Sequence, residues 1–518
     1  MVKTIKAGVA ALKTLESWGV THVYGIPGGT FNNMMYALDE EKDNLKYIHV
    51  RHEEVGALAA VADGKLTGHI GVAFGSAGPG ATHLFQGAYD AKMDKVPTLF
   101  LVGQVEQRFM NYDFFQELDE DPMFQDAALY ARTVTTAASL PHIIDEAIRR
   151  AYAGRGAAIV VIPNDLAAEE IPADGYYSAA ATHATPVLPA GSDEQVDAAL
   201  RVADLIMFVG SNYPFAEVMF SPNAKFIQIE ADPKTLGKRH HTDVAILADA
   251  PATLKKMIDR SDDAPRSGWY QANVDNVKNW HQYNNDMMTR TTGKMRFEPV
   301  FGQINRIATD DAIFAIDVGD VTQNAVRLLK VNGRQAWTTS GLFATMGAGL
   351  PAALAGQLSF PKRQVFNLAG DGAAAMVMQD LDTEVRYHLP IINVIFSNNA
   401  LGYIEDEQED DGHEWFGIDM PAIDFATVAK GMGMTGITVT QVDELTAAIE
   451  TAEANRAAGK PTLIDAKITN ERPIPVEHLQ LDPNQFDADT IAAFKKRYYA
   501  ERLVPLSEFL KTHKVPVA

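Results

Sequence analysis

Apolar positions along this chain recur with two alternating periods. From Lys6 to Trp18 they fall at the spacing of an amphipathic helix. His22 to Tyr24 then reads as a short strand closed by Gly25-Ile26-Pro27-Gly28-Gly29. Strand-like runs return at Tyr47–Val50, Ile70–Phe74, Thr98–Val102 and Ala158–Ile162, with helix-compatible stretches between them. Strands separated in this way imply an α/β fold with parallel pairing, because a parallel return needs a long crossover. Pro186 to Gly191, rich in Pro and Gly, reads as a linker. A second alternating region begins near Glu298-Pro299, where proline suits a first helical turn. It continues through Ala312–Ile316, Gln335–Thr338, Gln364–Leu368, Ile391–Phe396 and Pro461–Ala466. Between the two regions lie one helical pattern, Asp193–Ala203, and three strands, Leu205–Val209, Lys225–Ile229 and Val244–Leu247. After Pro473 the chain is polar, with a helical stretch at Asp489–Glu501 and an amphipathic turn at Leu506–Lys511 suited to covering a site.

Chemistry concentrates where apolar runs end. Gly370-Asp371-Gly372 follows the run Val365–Ala369, and Asn398-Asn399 follows Ile391–Phe396. Asp371 and Asn398 are thus placed on the loops after two strands, with Met376–His388 long enough for a crossover helix between them. A carboxylate and an amide carbonyl at neighbouring strand ends suit a hard divalent ion, and Mg²⁺ commonly takes few protein ligands plus water and phosphate oxygens. An ordinary turn is the plain alternative, since Gly-Asp-Gly is common. His52-Glu53-Glu54 opens another helical pattern. By itself that pair reads as solvated carboxylates in a first turn, favoured by the helix dipole.

Composition narrows the possibilities. A chain of 518 residues is too long for one core and suggests two to four domains. A net charge of −22 argues against nucleic acid, which needs basic surface to displace counterions. No apolar run approaches the length of a membrane span, and Met1–Thr14 begins directly with an amphipathic pattern, so a cytoplasmic location is expected. With no cysteine, thiolate nucleophiles, disulfides and thiolate zinc sites are excluded together.

The interval from Gly370-Asp371-Gly372 to Asn398-Asn399 resembles the cofactor motif of the thiamine diphosphate (ThDP) enzymes. Arg51-His52-Glu53-Glu54-Val55-Gly56-Ala57 resembles their cofactor-activating glutamate. Tyr24-Gly25-Ile26-Pro27-Gly28-Gly29, Phe74-Gly75-Ser76-Ala77-Gly78-Pro79-Gly80, Phe343-Ala344-Thr345-Met346-Gly347 and Asp406-Glu407-Gln408-Glu409-Asp410 are similar to the bacterial pyruvate oxidases within that family. The resemblance implies two ThDP-binding-type domains, 1–187 for the pyrimidine and 265–480 for the diphosphate and Mg²⁺. It also implies a middle flavin-type domain at 188–264 and a tail at 481–518.

By that resemblance Glu53 would hydrogen-bond the aminopyrimidine ring. Gly29, Thr30 and His83 would line the pocket for the carboxylate of pyruvate, and Phe115 with Gln116 would enter it from a partner subunit. Thr30 stands where the family more usually shows Ser, and Tyr403 where it shows Phe. Read alone, His83 is a helix residue after a Pro-Gly turn and Phe115 is core packing. Met346 resembles the apolar wedge that bends the cofactor, where a core Met is the plain reading. Tyr403 and Glu407 match positions that look toward the reaction centre, although on charge alone the run Glu405 to Asp411 is a solvated loop. Asp371, Asn398 and the backbone oxygen of Ala400 would hold Mg²⁺. Gly28, Pro79, Gly370, Gly372, Ala373, Leu401 and Gly402 would complete the cofactor pocket. The two halves of such a site come from different subunits, so the resemblance implies at least a homodimer, often a homotetramer.

The middle region departs from the family. A flavin domain usually needs about 100–150 residues, and the chain passes from Leu200-Arg201 directly to Val202-Ala203-Asp204 with no counterpart of the Gly-rich first half. Phe208–Glu217 and Asp232–His240 resemble the second half alone. FAD is therefore doubtful. With it, pyruvate, phosphate and O2 would give acetyl phosphate, CO2 and H2O2. Without it, acetaldehyde or acetolactate would form, as in a non-oxidative decarboxylase or carboligase. A catalytically silent relative is the third reading, against which the joint presence of Glu53, Asp371 and Asn398 speaks.

Overall fold

The apolar runs of the first region become one six-stranded parallel sheet. In chain order the strands are β1 (Thr4–Lys6), β2 (His22–Gly25), β3 (Lys46–His49), β4 (Gly71–Gly75), β5 (Thr98–Gln104), β6 (Tyr130–Thr133), β7 (Ala157–Pro163) and β8 (Glu170–Pro172). The sheet runs β3-β2-β4-β5-β7-β6, while β1 and β8 form a separate antiparallel pair. Every residue of β5 and of β7 is buried, as expected of strands covered on both faces. The computed structural model describes residues 3–173, 205–211, 214, 224–261, 268–410, 413–470, 472, 486–498 and 508. The expected linker Pro186–Gly191, the helix Asp193–Ala203 and the turn Leu506–Lys511, apart from residue 508, lie outside them. Of the expected tail helix, Ala488–Tyr498 is described as helical.

The middle region carries β9 (Leu205–Val209), β10 (Lys225–Glu230) and β11 (Val244–Leu247), all parallel, in the order β11-β10-β9. Ile227, Ile229, Ile246 and Met257 form its small core. The chain separates into two compact units, Met1–Thr182 with Asn273–Ala518, and His183–Ala272.

The last region has β12 (Ile313–Ile316), β13 (Ala336–Thr338), β14 (Val365–Gly370), β15 (Ile392–Ser397), β16 (Thr435–Val439) and β17 (Thr462–Lys467). Its sheet runs β13-β12-β14-β15-β17-β16, the same permutation as the first. In each sheet the chain goes first to one side of its starting strand and then to the other. The strand order therefore reverses between β2 and β4 and between β12 and β14, the places where parallel sheets open a crevice for ligands at their C-terminal edges. The helices Glu53–Thr67 and Gly349–Ser359, one from each sheet's cover, pack together. Ala57, Ala59 and Ala60 share one core with Ala352, Ala353 and Ala355, small residues that let the two domains approach closely.

The expected crossover helix Met376–His388 is broken. A helix opens at Asp371 and ends at Val377, a 3-10 turn covers Met378–Asp380, and a second helix runs Leu381–Arg386. At the break lies Asp380, whose carboxylate accepts from Thr383 Oγ1 and from the backbone N–H of Arg51 at 2.8 Å each, tying the new turn to the first domain. Among the described residues no helix is long and apolar enough to cross a membrane.

Candidate active site

The first sheet places its chemistry at the β2–β4 crevice. Glu53 is the first residue of its helix and nearly buried, and its Oε2 lies 2.9 Å from His83 Nδ1. His83 ends the short helix Pro79–His83, which starts with proline in its first turn after Gly78 at φ +72°. His52 caps the Glu53 helix, its Nδ1 accepting from Glu54 N, and its ring lies 4.2 Å from that of His83. One ligand atom each from His52, Glu53 and His83 lies within 4.8 Å of the others. His83 is thus not a helix residue satisfied by backbone, and Glu53 is not a solvated carboxylate.

Thr30 Oγ1 accepts from the backbone N–H of Ala77 at 2.8 Å, clamping the loop after β2 to the loop after β4. At Gly28 a Cβ would stand 2.4 Å from that of Ser76, so only glycine allows these loops to close. A Cβ at Gly29 would meet nothing within 4 Å, leaving open space in front of that backbone. Gln116 sits at φ +64° against Gly78 of its own chain. Its loop leaves β5 at the same sheet edge and folds back onto the loop after β4. Phe115 is 78% exposed and is not core packing.

The second sheet places its chemistry at the β12–β14 crevice. Gly370 pairs with Phe396 across β14 and β15, so Asp371 and Asn398 stand just beyond neighbouring strand ends. Asp371 Oδ2 accepts from Asn399 N at 2.7 Å and Oδ1 from Gly372 N at 2.9 Å. Asn398 Oδ1 accepts from Ala400 N, and its Nδ2 donates to Asn470 Oδ1 at 2.9 Å. Ala400 bridges to Asp419 through bonds made by Leu401 N and by the carbonyl of Asn399, which do not use its own carbonyl. A cavity of about 290 Å³ opens here. Its lining brings together Met346, Gly370, Asp371, Gly372, Ala373 and Asn398 with Ala400, Leu401, Gly402, Tyr403 and Glu407.

The acidic run after Gly402 is a helix, Gly402–Asp410, and not a solvated loop. Glu405 and Glu409 turn inward, Glu409 onto Arg472 at 2.6 Å, while Glu407 faces the cavity. Sequence reading missed Asp320, which lines the same cavity, and Asn470. Asp317-Val318-Gly319-Asp320 follows the run Ala312–Ile316 as Gly370-Asp371 follows Val365–Ala369, and that parallel was the available signal. Burial, with Asp406 nearby and Arg472 opposing, pushes Asp320 up to about 7. Burial likewise raises Asp371, against the N–H groups of Asn399 and Gly372.

Three family models match in order along the chain. They are the N-terminal thiamine pyrophosphate (TPP) binding domain over residues 5–123, the central domain over 167–257 and the C-terminal TPP binding domain over 317–466. A pyruvate oxidase of Lactiplantibacillus plantarum is 45% identical across 98% of this chain and 96% of its own length. The chain belongs to the thiamine pyrophosphate enzymes. Within that family it is pyruvate oxidase-like and TPP-dependent. The "putative thiamine pyrophosphate-containing protein YdaP" of Bacillus subtilis is 34% identical over 90% of this chain and 92% of its own. The acetolactate synthase large subunit of Parasynechococcus marenigrum is more distant, at 28% over 90% and 88%. The alignment with the pyruvate oxidase runs over 578 positions, against the 518 residues of this chain, so that relative carries segments with no counterpart here.

The residues present fit the cofactor of the family. Asp371 and Asn398 offer hard oxygens already oriented by backbone N–H groups, the donor chemistry that Mg²⁺ takes from proteins. Oδ1 of Asp320 is buried in the cavity wall with no hydrogen-bond donor among the described residues, a polar atom for a bound group to satisfy.

Proposed function

We propose that this enzyme decarboxylates pyruvate with thiamine diphosphate and Mg²⁺, and passes the remaining acetyl unit to phosphate with reduction of O2 to H2O2. The carrying observation is the pair of strand-end crevices, one holding Glu53 against His83 and the other holding Asp371 beside Asn398. Bound thiamine diphosphate supplies an electron sink for the electrons released when CO2 leaves a 2-oxo acid.

Each part of the protein then has a defined task. Asp371, Asn398 and the carbonyl of Ala400 would hold Mg²⁺, whose charge would favour the cofactor's diphosphate. Glu53 would hold the proton exchanged with the aminopyrimidine ring, and its bond to His83 fixes the carboxylate for that role. The open backbone at Gly29, with Thr30 and His83, receives the carboxylate of pyruvate. Met346, at the cavity wall, presses an apolar surface on the cofactor's rings. Because the family resemblance implies that the two halves of such a site come from different subunits, we assign the working enzyme to a homodimer or a homotetramer, with Phe115 exposed for the partner.

A second reading is favoured by one observation. The alignment with the pyruvate oxidase is longer than this chain, and three strands are described in the middle unit. If FAD has no seat there, the same decarboxylation ends in acetaldehyde or acetolactate. Oxygen uptake driven by pyruvate and phosphate, measured with and without added FAD, separates the two. FAD-dependent uptake supports the oxidase, and its absence in both tubes supports the non-oxidative branch.

A further inference from the structure

The segment that carries Met346 is held from the other domain. Ala344 sits at φ +57°, a conformation that L residues rarely adopt and that persists only where the surroundings enforce it. The enforcement begins in the helix Phe85–Met93 and the turn after it. Both oxygens of Asp94 accept backbone N–H groups, from Gly341 at 2.8 Å and from Leu342 at 2.7 Å. Asp90 Oδ1 accepts from Ser340 Oγ at 2.6 Å, and Ser340 Oγ in turn accepts from Thr345 N at 3.1 Å. Lys65 Nζ ties the two carboxylates together, 3.0 Å from Asp90 Oδ2 and 2.6 Å from Asp94 Oδ2, and donates to the carbonyl of Thr339 at 2.9 Å. Asp90 is 3% exposed, so this cluster is interior. Tyr89 stacks on Phe343 at 5.7 Å. At the far end of the segment Asp317 accepts from Gly347 N and Gly349 N.

We propose that Lys65, Asp90 and Asp94, with Ser340 as the link, are positioning residues for the cofactor cavity of the other domain. They fix residues 339–346 so that Ala344 and Met346 line the cavity beside Asp371 and Gly372. Met346 Cε stands 3.1 Å from where a Cβ on Gly372 would be, so a small displacement of the segment changes the width of the cavity. A thioether contacts rings through dispersion and does not ligate phosphate or Mg²⁺. The clasp therefore acts on the apolar half of the cofactor and leaves diphosphate binding at Asp371 and Asn398 alone. Lys65 lies in the helix that begins at Glu53, so one rod carries the proton-exchanging glutamate at its start and the clasp at its end.

This inference rests on the thiamine diphosphate reading, and its test separates the two. Ser340→Ala breaks the link to Thr345 N while leaving the ion pairs of Lys65 intact. Its affinity for Mg²⁺-thiamine diphosphate and for Mg²⁺-pyrophosphate is measured by calorimetry on the full chain, together with the melting temperature of the apoprotein. The expected result is about tenfold weaker binding of thiamine diphosphate, unchanged binding of pyrophosphate and an unchanged melting temperature. Equal weakening of both ligands, or no change in either, overturns the positioning role. Asp94→Asn, which weakens the grip on Gly341 and Leu342, is expected to show the same selective loss. Failure of the wild-type chain to bind thiamine diphosphate would instead overturn the cofactor reading itself.

Discussion

Oε2 of Glu53 and Nδ1 of His83 lie 2.9 Å apart, joining the first residue of one helix to the last residue of another across the β2–β4 crevice. The carboxylate is nearly buried and the imidazole is half exposed, so the pair presents one protected and one accessible group. Glu53→Gln keeps the shape and a hydrogen-bonding oxygen but cannot carry a proton away. Turnover is expected to fall at least ~100-fold, the scale of lost acid–base catalysis, with melting within a few degrees of wild type. Steady-state kinetics beside circular dichroism checks this, and full activity in the variant would contradict the assignment.

Each oxygen of Asp371 accepts a backbone N–H group, and Asp371→Asn keeps one of those two bonds; the variant is expected to fold with a looser turn while losing the charge that retains Mg²⁺. The Mg²⁺ concentration needed for half-maximal thiamine diphosphate binding should rise by about tenfold or more. Titration of the cofactor at fixed Mg²⁺ concentrations measures it.

Gly372 gives a steric test of the same cavity. A Cβ there would stand 2.9 Å from Leu401 Cδ2 and 3.1 Å from Met346 Cε, both flexible ends of side chains. Gly372→Ala should therefore fold, push those two side chains into the cavity and weaken the cofactor without weakening the scaffold. Cofactor calorimetry and a melting curve on one sample distinguish the two effects.

Much of this arrangement was legible in the sequence. The central strands are covered on both faces, so β4, β5, β7, β14, β15 and β17 read as apolar runs, and the ends of β2, β4, β14 and β15 located Gly28, Gly78, Asp371 and Asn398. The edge strands β6 and β16 were missed, because Tyr130-Ala131-Arg132-Thr133 and Thr435-Gly436-Ile437-Thr438-Val439 are only partly buried and carry no such run. Asp320 and Asn470 were missed for another reason. Their importance comes from convergence over Gly402, where a Cβ would meet Asp320 Oδ2, Asn398 Nδ2 and Asn470 Oδ1, and no local pattern records a meeting of three strand ends. The inward turn of Glu405 and Glu409 was hidden in the same way, since a run of acids reads as solvated until Asn470 meets Glu405 and Arg472 meets Glu409 from far along the chain.

The loop that brings Gln116 to Gly78 is closed by Glu120, which accepts from Gln104 Nε2. Burial pushes Glu120 up to about 8, its own backbone N–H opposing and Asp119, Asp121 and Glu117 adding to the rise. Its ordinary value is about 4.3, so the folded protein binds this proton more tightly than the unfolded chain. The stability it contributes is full below pH ~4, is lost progressively as pH rises to about 8, and is flat beyond. Glu120→Gln removes that slope. Melting temperatures across this range should fall less steeply in the variant than in wild type, and parallel curves would contradict the shift.

The most direct test of the central claim is carbon-13 NMR of the products formed from labelled pyruvate with thiamine diphosphate, Mg²⁺, phosphate and air, in parallel tubes with and without FAD. The account predicts acetyl phosphate in the tube with FAD, and both its appearance and the release of CO2 should vanish in Glu53→Gln. Acetaldehyde or acetolactate in both tubes would contradict the oxidase and leave a non-oxidative enzyme, and unconsumed pyruvate in both would contradict the reaction altogether.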